Sequence, residues 1–241
     1  MKIVFAGPTA PAALRPVHRD VSYRAPARQG DLYRAVAEGA TVIGLVDGIY
    51  EQVPAVWHKE ILFALAEGVQ VLGAASMGAL RAAECAPFGM VGVGEIYRQY
   101  ASGEVVDDGD VAQVHGPAEL GHLALTEALV NVRATLRKLA DLGIVSVEER
   151  ATLLSAAEAL NFRDRTYATI LAAAKQIDDD RRGALLRAVR QNLVDLKRKD
   201  ALDLIRTVAC RADRRGTPPD DWTFAATGMW RMAFPTSTIT T

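Results

Sequence analysis

Short apolar runs alternate with longer amphipathic segments along the first part of the chain. The β-prone runs cover residues 1–8, 41–46 and 69–72. The helix-prone segments cover residues 32–38 and 55–67. Gly39 and Gly68 follow the two helical segments and Pro54 precedes the second, which is typical of helix ends. This β-α-β-α order predicts an α/β fold, with a largely parallel sheet and helices on its faces.

Two segments of this region lack a clear period. Residues 9–30 carry Pro11, Pro16 and Pro26 among scattered arginines, which predicts a basic, partly irregular segment. Residues 88–94 are glycine-rich but lack the Gly-x-Gly-x-x-Gly order of a dinucleotide-binding loop. We therefore expect no nucleotide site there.

From residue 122 to residue 208 the chain has a helical period, and one shorter helical segment precedes this part. Helices are predicted at residues 95–102, 122–142, 147–160, 165–175 and 181–208. Ser146 and Glu149 form a capping box that opens the third of these. The last helix is interrupted by a charged run at residues 195–200, a pattern typical of a solvated face or of a docking surface.

The pattern divides the chain into three parts. Residues 1–120 are predicted to form the α/β core, residues 121–210 an α-helical portion packed on that core, and residues 211–241 an irregular tail. The tail holds several large aromatic side chains, namely Trp222, Phe224, Trp230 and Phe234. We expect these to pack back onto the body or onto a partner.

Composition and charge exclude several functional classes. The chain has 241 residues, 50% of them apolar, and a formal net charge of −1, so no global field attracts nucleic acid or an anionic membrane. The first apolar run is too short for a signal peptide, and no run is long enough to span a membrane. Two cysteines give neither a disulfide framework nor a zinc pattern. We expect a soluble, cytoplasmic protein.

The sharpest chemical feature is Ser76, which lies among very small residues between a strand and a helix. Its Ala-x-Ser-x-Gly frame is close to the Gly-x-Ser-x-Gly nucleophile elbow, in which small neighbours allow a tight turn and leave the hydroxyl projecting. The backbone N–H groups of Met77 and Gly78 would then receive an oxyanion. The alternative is that Ser76 only caps the following helix.

Lys59 is the second candidate, because it lies on a helix that is apolar on nearly every face. Desolvation there would lower the pKa of the ammonium and make the neutral amine accessible as a base. The alternative is a lysine that extends to solvent at the sheet edge. Farther along, the acidic residues 104–110 and His115 lack a spacing that defines a metal geometry, and a solvated turn or helix cap is the simpler interpretation.

Several stretches together resemble the TfuA-like proteins, which accompany YcaO enzymes in peptide-backbone thioamidation. The matching stretches are Gly30-Asp31-Leu32-Tyr33, Gly44-Leu45-Val46-Asp47-Gly48, residues 54–61 (Pro-Ala-Val-Trp-His-Lys-Glu-Ile), residues 73–84 (Gly-Ala-Ala-Ser-Met-Gly-Ala-Leu-Arg-Ala-Ala-Glu), the region from Asp107-Asp108 to His115-Gly116-Pro117, and residues 125–136. A joint match in this order is far more specific than any single motif. The helical part beyond it matches more loosely.

The resemblance implies a hydrolase-like Ser-Lys site that releases sulfide from a thiocarboxylated, ThiS-type sulfur carrier. Carried residue by residue, the serine is Ser76 and the lysine is Lys59. The resemblance further implies binding to a YcaO enzyme, which activates the substrate peptide, and no cofactor of its own. Because the thiocarboxylate is anionic, Arg81 is the candidate cation, with an ion pair to Glu84 as the alternative. The side chains that could support the site are Asp47, His58 and His115.

Three other functions fit the same residues. A conventional serine hydrolase would use His115 as the base, oriented by Asp47 or Asp107. A non-catalytic adaptor would only hold YcaO and its peptide together. A persulfide relay would pass through Cys85, although a cysteine on an alanine-rich helix is usually buried.

Overall fold

The computed structural model describes residues 1–48, 53–117 and 123–234. Its centre is a fully parallel five-stranded sheet, with strands β1 (Lys2–Phe5), β2 (Val21–Arg24), β3 (Val42–Leu45), β4 (Gln70–Ala74) and β5 (Val91–Val93). The strand order is β2-β1-β3-β4-β5. The predicted α/β fold, a parallel sheet with flanking helices followed by a helical portion, is confirmed.

Ten α-helices lie in the described part of the chain. They are α1 (Asp31–Ala37), α2 (His58–Ala66), α3 (Met77–Cys85), α4 (Gly94–Ser102), α5 (Leu129–Asp141), α6 (Val147–Glu158), α7 (Tyr167–Ala173), α8 (Asp179–Asn192), α9 (Leu196–Cys210) and α10 (Gly228–Ala233). Short 3-10 turns occur at Ala12–Leu14, Ala86–Phe88 and Asp108–Asp110. None of these helices is long and apolar enough to cross a membrane.

The two faces of the sheet are covered by helices from distant parts of the chain. One face packs against α1, α2 and α3 around Ile43, Leu45 and Ile61. The other face packs against α9, which comes from the C-terminal half. Gly44 permits this approach, because a Cβ there would lie 2.9 Å from side-chain atoms of both Leu204 and Val208. The core therefore depends on contacts that span nearly the whole chain.

α9 runs antiparallel to the strands. Lys2 Nζ, at the start of β1, donates a hydrogen bond of 2.6 Å to the Ala209 carbonyl near the end of α9. The first turn of α9 therefore lies at the carboxyl edge of the sheet. There Asp200 Oδ2 accepts a hydrogen bond of 2.8 Å from the Ile96 N–H and so caps α4. Ligand sites of open α/β sheets lie at this edge.

The remaining helices, α5 to α8, surround an apolar cluster of their own that includes Leu139, Leu153 and Leu185. The predicted capping box at Ser146 is present, with the Ser146 hydroxyl accepting from the Glu149 N–H at 3.1 Å. Arg181 makes contacts of 2.6 and 2.8 Å with the Glu149 carboxylate and so ties α8 to α6.

Two strands lie where the sequence pattern indicates none. β2 falls inside the predicted irregular segment 9–30, and β5 falls inside the glycine-rich residues 88–94. Both are edge strands of only three or four residues, so neighbouring strands rather than local period stabilise them. The segment 9–30, predicted to be partly irregular, thus also contains a strand.

Three predicted helix boundaries also differ from those in the structure. α2 begins at His58 rather than residue 55. α5 begins at Leu129 because Ala124 instead forms an antiparallel bridge with His115, while residue 122 lies outside the described residues. The predicted helix 181–208 is two helices, since the Val194 N–H donates to Thr135 Oγ1 at 3.0 Å and the Asp195 carboxylate caps α9. Tertiary hydrogen bonds set these ends.

The tail packs back on the body, as its aromatic residues predict. It first follows the amino edge of the sheet, where the Gly216 N–H donates to the Gly68 carbonyl at 2.7 Å. It then runs along α2, and its last described part contains α10, whose Trp230 is only 5% exposed. The rings packed around this residue belong to Tyr33, Phe63, Phe224 and Phe234.

Candidate functional site

Ser76 follows a strained turn at the carboxyl end of β4. Ala75 has φ +68° and is the one non-glycine residue with positive φ in the described part of the chain. The Ser76 N–H donates to the Ala74 carbonyl at 2.8 Å across this residue, which makes a three-residue γ-turn of the rare, strained kind. Strain of this kind clusters at functional sites.

The Ser76 hydroxyl projects from this turn without an internal partner. Ser76 is half-buried at the N-cap position of α3, yet its side chain makes no capping hydrogen bond. No other described residue bonds to it. The structure thus favours a presented hydroxyl over a helix cap, and the positive φ lies one residue before the serine rather than on it.

Small residues bring the start of α3 against the neighbouring strand. A Cβ on Gly78 would lie 1.8 Å from the Leu45 carbonyl oxygen, so only glycine fits there. The Gly78 N–H donates to the Val46 carbonyl at 3.1 Å and is already engaged. The Met77 N–H has no acceptor among the described residues. Of the two predicted oxyanion donors, Met77 is therefore the one that this arrangement leaves free.

Lys59 is turned toward the tail rather than toward Ser76. Its Nζ donates to the Ala225 carbonyl at 2.5 Å and lies 3.3 Å from Thr227 Oγ1. The same Nζ is 5.4 Å from the ring centre of Phe224. Within the described residues, no hydrogen bond joins Lys59 to Ser76. The two members of the predicted pair are not brought together in this arrangement.

Arg81 and His58 belong to a polar network that joins α2 to α3. Both meet the same oxygen of Glu84: Arg81 Nη1 at 2.5 Å and His58 Nε2 at 2.8 Å. Arg81 Nε also donates to the Val56 carbonyl at 3.3 Å. The i, i+3 ion pair between Arg81 and Glu84 is thus present. Arg81 and residues 54–59 line a pocket of about 450 Å³.

Asp47 and His115 are each engaged by other parts of the fold. Asp47 is 5% exposed, and its carboxylate accepts from the Gly7 N–H at 2.8 Å and from Thr9 Oγ1 at 2.5 Å. These bonds hold the loop after β1. His115 lies in the short antiparallel bridge with Ala124. Asp107 accepts from the Gly109 N–H at 2.7 Å. A Ser-His-Asp arrangement is therefore not assembled among the described residues.

Cys85 is an unsuitable relay for sulfur. The side chain is 1% exposed in the core between α3 and the sheet. Burial, with a smaller contribution from the Glu84 charge, raises the pKa of the thiol to about 11, so the reactive thiolate is disfavoured. In the described part of the chain, no group of three or more His, Cys, Asp or Glu side chains is arranged to hold a metal.

Lys197 is a polar residue at the carboxyl edge that the sequence pattern does not single out. It belongs to the charged run 195–200, a pattern typical of a solvated face or of a docking surface, yet Lys197 is 3% and Asp200 0% exposed. Helical spacing could have revealed this burial, because Lys197 lies four residues before Ala201 and so shares the apolar stripe of α9.

These features define a class: an α/β protein with a serine presented on a strained turn at the ligand-binding edge of a parallel sheet. The family model described as TfuA-like protein matches residues 47–166, which include the serine turn and the residues from Asp47 to His115. The chain belongs to the TfuA-like family. This membership places it in the context of peptide thioamidation, in which the family is associated with YcaO enzymes. A search of curated proteins found no match.

Proposed function

We propose that this protein hydrolyses the C-terminal thiocarboxylate of a ThiS-type sulfur carrier and supplies the hydrosulfide to a YcaO enzyme that thioamidates a peptide. The observation that carries the proposal is the strained turn at Ala75, which presents the Ser76 hydroxyl without an internal partner. A nucleophile must be free to attack, whereas a capping serine is engaged. Family membership supplies the sulfur context.

The chemistry is acyl transfer. Ser76 Oγ attacks the thiocarboxylate carbon, its proton passes through a lysine amine to the sulfur, and hydrosulfide leaves. Water then hydrolyses the serine ester and yields the carrier carboxylate. The Met77 N–H, at the N-terminus of α3, faces the oxyanion of the tetrahedral intermediate. One such donor is typically worth about 3 kcal/mol.

The lysine that family resemblance selects is held away from Ser76 by the tail. The family resemblance selects Lys59, but its Nζ is bonded to the Ala225 carbonyl. For Lys59 to act on Ser76, the tail around residues 224–227 must release it. Arg81 supports binding of the anionic substrate, although its pairing with Glu84 neutralises part of its charge.

The test is sulfide release from a purified, thiocarboxylated carrier by wild type and Ser76→Ala. We expect the substitution to lower the rate at least about a hundredfold, because the nucleophile is lost. Ser155→Ala is the matched control, since Ser155 is exposed on α6 far along the chain. It should release sulfide at the wild-type rate.

A purely adaptor role predicts a different outcome. In that case Ser76→Ala would support thioamide formation by YcaO as well as wild type does, and carrier hydrolysis would be absent from both. Either result would contradict the proposed hydrolysis.

A further inference from the structure

The side-chain nitrogen of Lys197 is buried at the carboxyl edge of the sheet. Its Nζ donates to the Val111 carbonyl at 2.6 Å and lies 3.1 Å from Gln113 Oε1. Among the described residues, no carboxylate lies within ion-pair distance of it. A charge buried in this way is strongly unfavourable, and an apolar residue of similar size would avoid that penalty. Packing alone does not explain a lysine here.

The position of Lys197 connects it to the serine turn. On α9, Lys197 precedes Ala201 by one helical turn, and Ala201 packs in the same cluster as Val46 and Ala75. These last two residues lie at the carboxyl ends of β3 and β4, immediately before Asp47 and Ser76. Because α9 is antiparallel to the strands, its apolar stripe extends past their carboxyl ends. Lys197 therefore lies at the edge of the sheet where Ser76 is presented.

A second cluster supports the same placement. Leu196, the neighbour of Lys197, belongs to the same apolar cluster as Val111 and Ala79 of α3. Ala79 lies three residues after Ser76, and its N–H donates to the Ser76 carbonyl at 2.9 Å. The first turns of α9 and α3 therefore border one apolar cluster, which α4 fills between them.

The bonds of Lys197 suit a neutral amine. A neutral lysine has two N–H bonds and one lone pair, and Val111 and Gln113 supply two acceptors. The lone pair is left for the proton of a third group. Burial lowers the pKa of Lys197, while the charges of Asp47 and Asp195 act in the opposite direction.

We propose that Lys197, rather than Lys59, is the general base for Ser76. The amine takes the Ser76 proton as the Oγ–carbon bond forms, and the resulting ammonium gives that proton to sulfur as the carbon–sulfur bond breaks, so that hydrosulfide leaves. The inference rests on the proposed function for the identity of the acyl substrate. The reactivity of Ser76 itself can be measured without that substrate.

The experiment measures the rate at which a fluorophosphonate labels Ser76 between pH 6 and 10. The proteins are wild type, Lys197→Met, Lys197→Arg and Lys59→Met, with Lys199→Met as the matched control because Lys199 is exposed on the same helix. We expect wild-type labelling to rise with pH to a plateau below the ordinary lysine pKa. Both Lys197 variants should label at least about a hundredfold more slowly, since arginine keeps the charge but is no base.

Folding of the buried variants is checked by their thermal unfolding curves. If neither Lys197 variant folds, the labelling of Lys59→Met distinguishes the two bases, because this variant keeps Lys197. The labelling rate of Ser76 still rises with pH if Lys197 is the base, and it no longer does so if Lys59 is the base. Loss of the rise in Lys59→Met, wild-type reactivity in Lys197→Met, or absence of Ser76 labelling in wild type overturns the inference. Lys197-dependent labelling without sulfide release from the carrier rejects the proposed substrate and leaves the base assignment standing.

Discussion

The turn that presents Ser76 requires a strained backbone conformation at Ala75. A β-carbon at φ +68° is unfavourable, and this alanine is completely buried, so the surrounding core holds it in place. The small side chain limits the strain, which explains why alanines rather than branched residues precede the serine.

Substitution of Ala75 should separate strain from packing. Ala75→Val is expected to lower the free energy of unfolding by about 2–3 kcal/mol, because a branched residue is disfavoured at positive φ and overfills the site. Ala75→Gly should change it by no more than about 1 kcal/mol, since relief of strain offsets the greater freedom of the unfolded chain. Urea unfolding measures both. Equal stability of the two variants would show that the turn is not strained.

Side chains at this edge show what a sequence can and cannot reveal about a site. The turn around Ser76 is predictable because local residue size and strand period determine it. The engagement of Lys59 by Ala225 is not, because the two residues are far apart along the chain. Burial of Lys197 is likewise decided by the packing of α9 on the sheet, while its charged neighbours indicate solvent.

Among the elements, the tail is the one that engages the Lys59 ammonium. Trp230 is the centre of its docking, with ring centres 5.3 Å from Phe63 and 4.5 Å from Phe234. The same docking places Ala225 and Thr227 on Lys59. Undocking would expose the aromatic surface of α1 and α2 and free the ammonium.

Trp230→Ala is expected to undock the tail and leave the sheet intact. The change removes aromatic contacts worth about 3 kcal/mol, more than a short terminal segment can spare. Amide hydrogen exchange should therefore accelerate at residues 224–234 by about a hundredfold, with β1, β3 and β4 unchanged. Met229→Ala is the matched control, because Met229 is 72% exposed in the same helix. Equal protection in Trp230→Ala and wild type would disprove this account of docking.

Elements with a strong local period were predictable, and those stabilised by neighbours were not. β3, β4 and α1 have continuous apolar or amphipathic patterns bounded by glycine. β2 and β5 are short edge strands that acquire their conformation from β1 and β4. The break between α8 and α9 at residues 193–195 depends on Thr135, which no pattern within those helices reveals.

For the whole molecule, partly buried acids make stability depend on pH. Glu127 is the clearest example: burial, and to a lesser degree the charge of Asp195, raises the pKa of this carboxyl to about 7. Its folded-state pKa thus exceeds the unfolded value of about 4.5, and the folded state binds the extra proton between these values. The free energy of unfolding therefore falls as pH rises through this window.

Glu127→Gln should remove the loss of stability that ionisation of Glu127 causes at high pH. At pH 8 the variant is expected to be more stable than wild type by on the order of 2 kcal/mol, a value reduced for partial solvent screening, and at pH 4 the two should be nearly equal. Urea unfolding at pH 4, 6 and 8 measures the difference. Glu104→Gln, at an exposed carboxyl, should change stability by less than about 0.5 kcal/mol. A difference for Glu127→Gln that is the same at all three pH values would contradict the assignment.

The order of elements along the chain also governs how the protein is made. The last strand ends at Val93, but the helix that covers one face of the sheet spans Leu196–Cys210. During synthesis the strands leave the ribosome first, and Val4, Val42 and Leu72 have no cover on that face until α9 follows. The nascent sheet therefore exposes an apolar surface until α9 has been synthesised. We expect a chain truncated before α9 to bind chaperones or to be degraded.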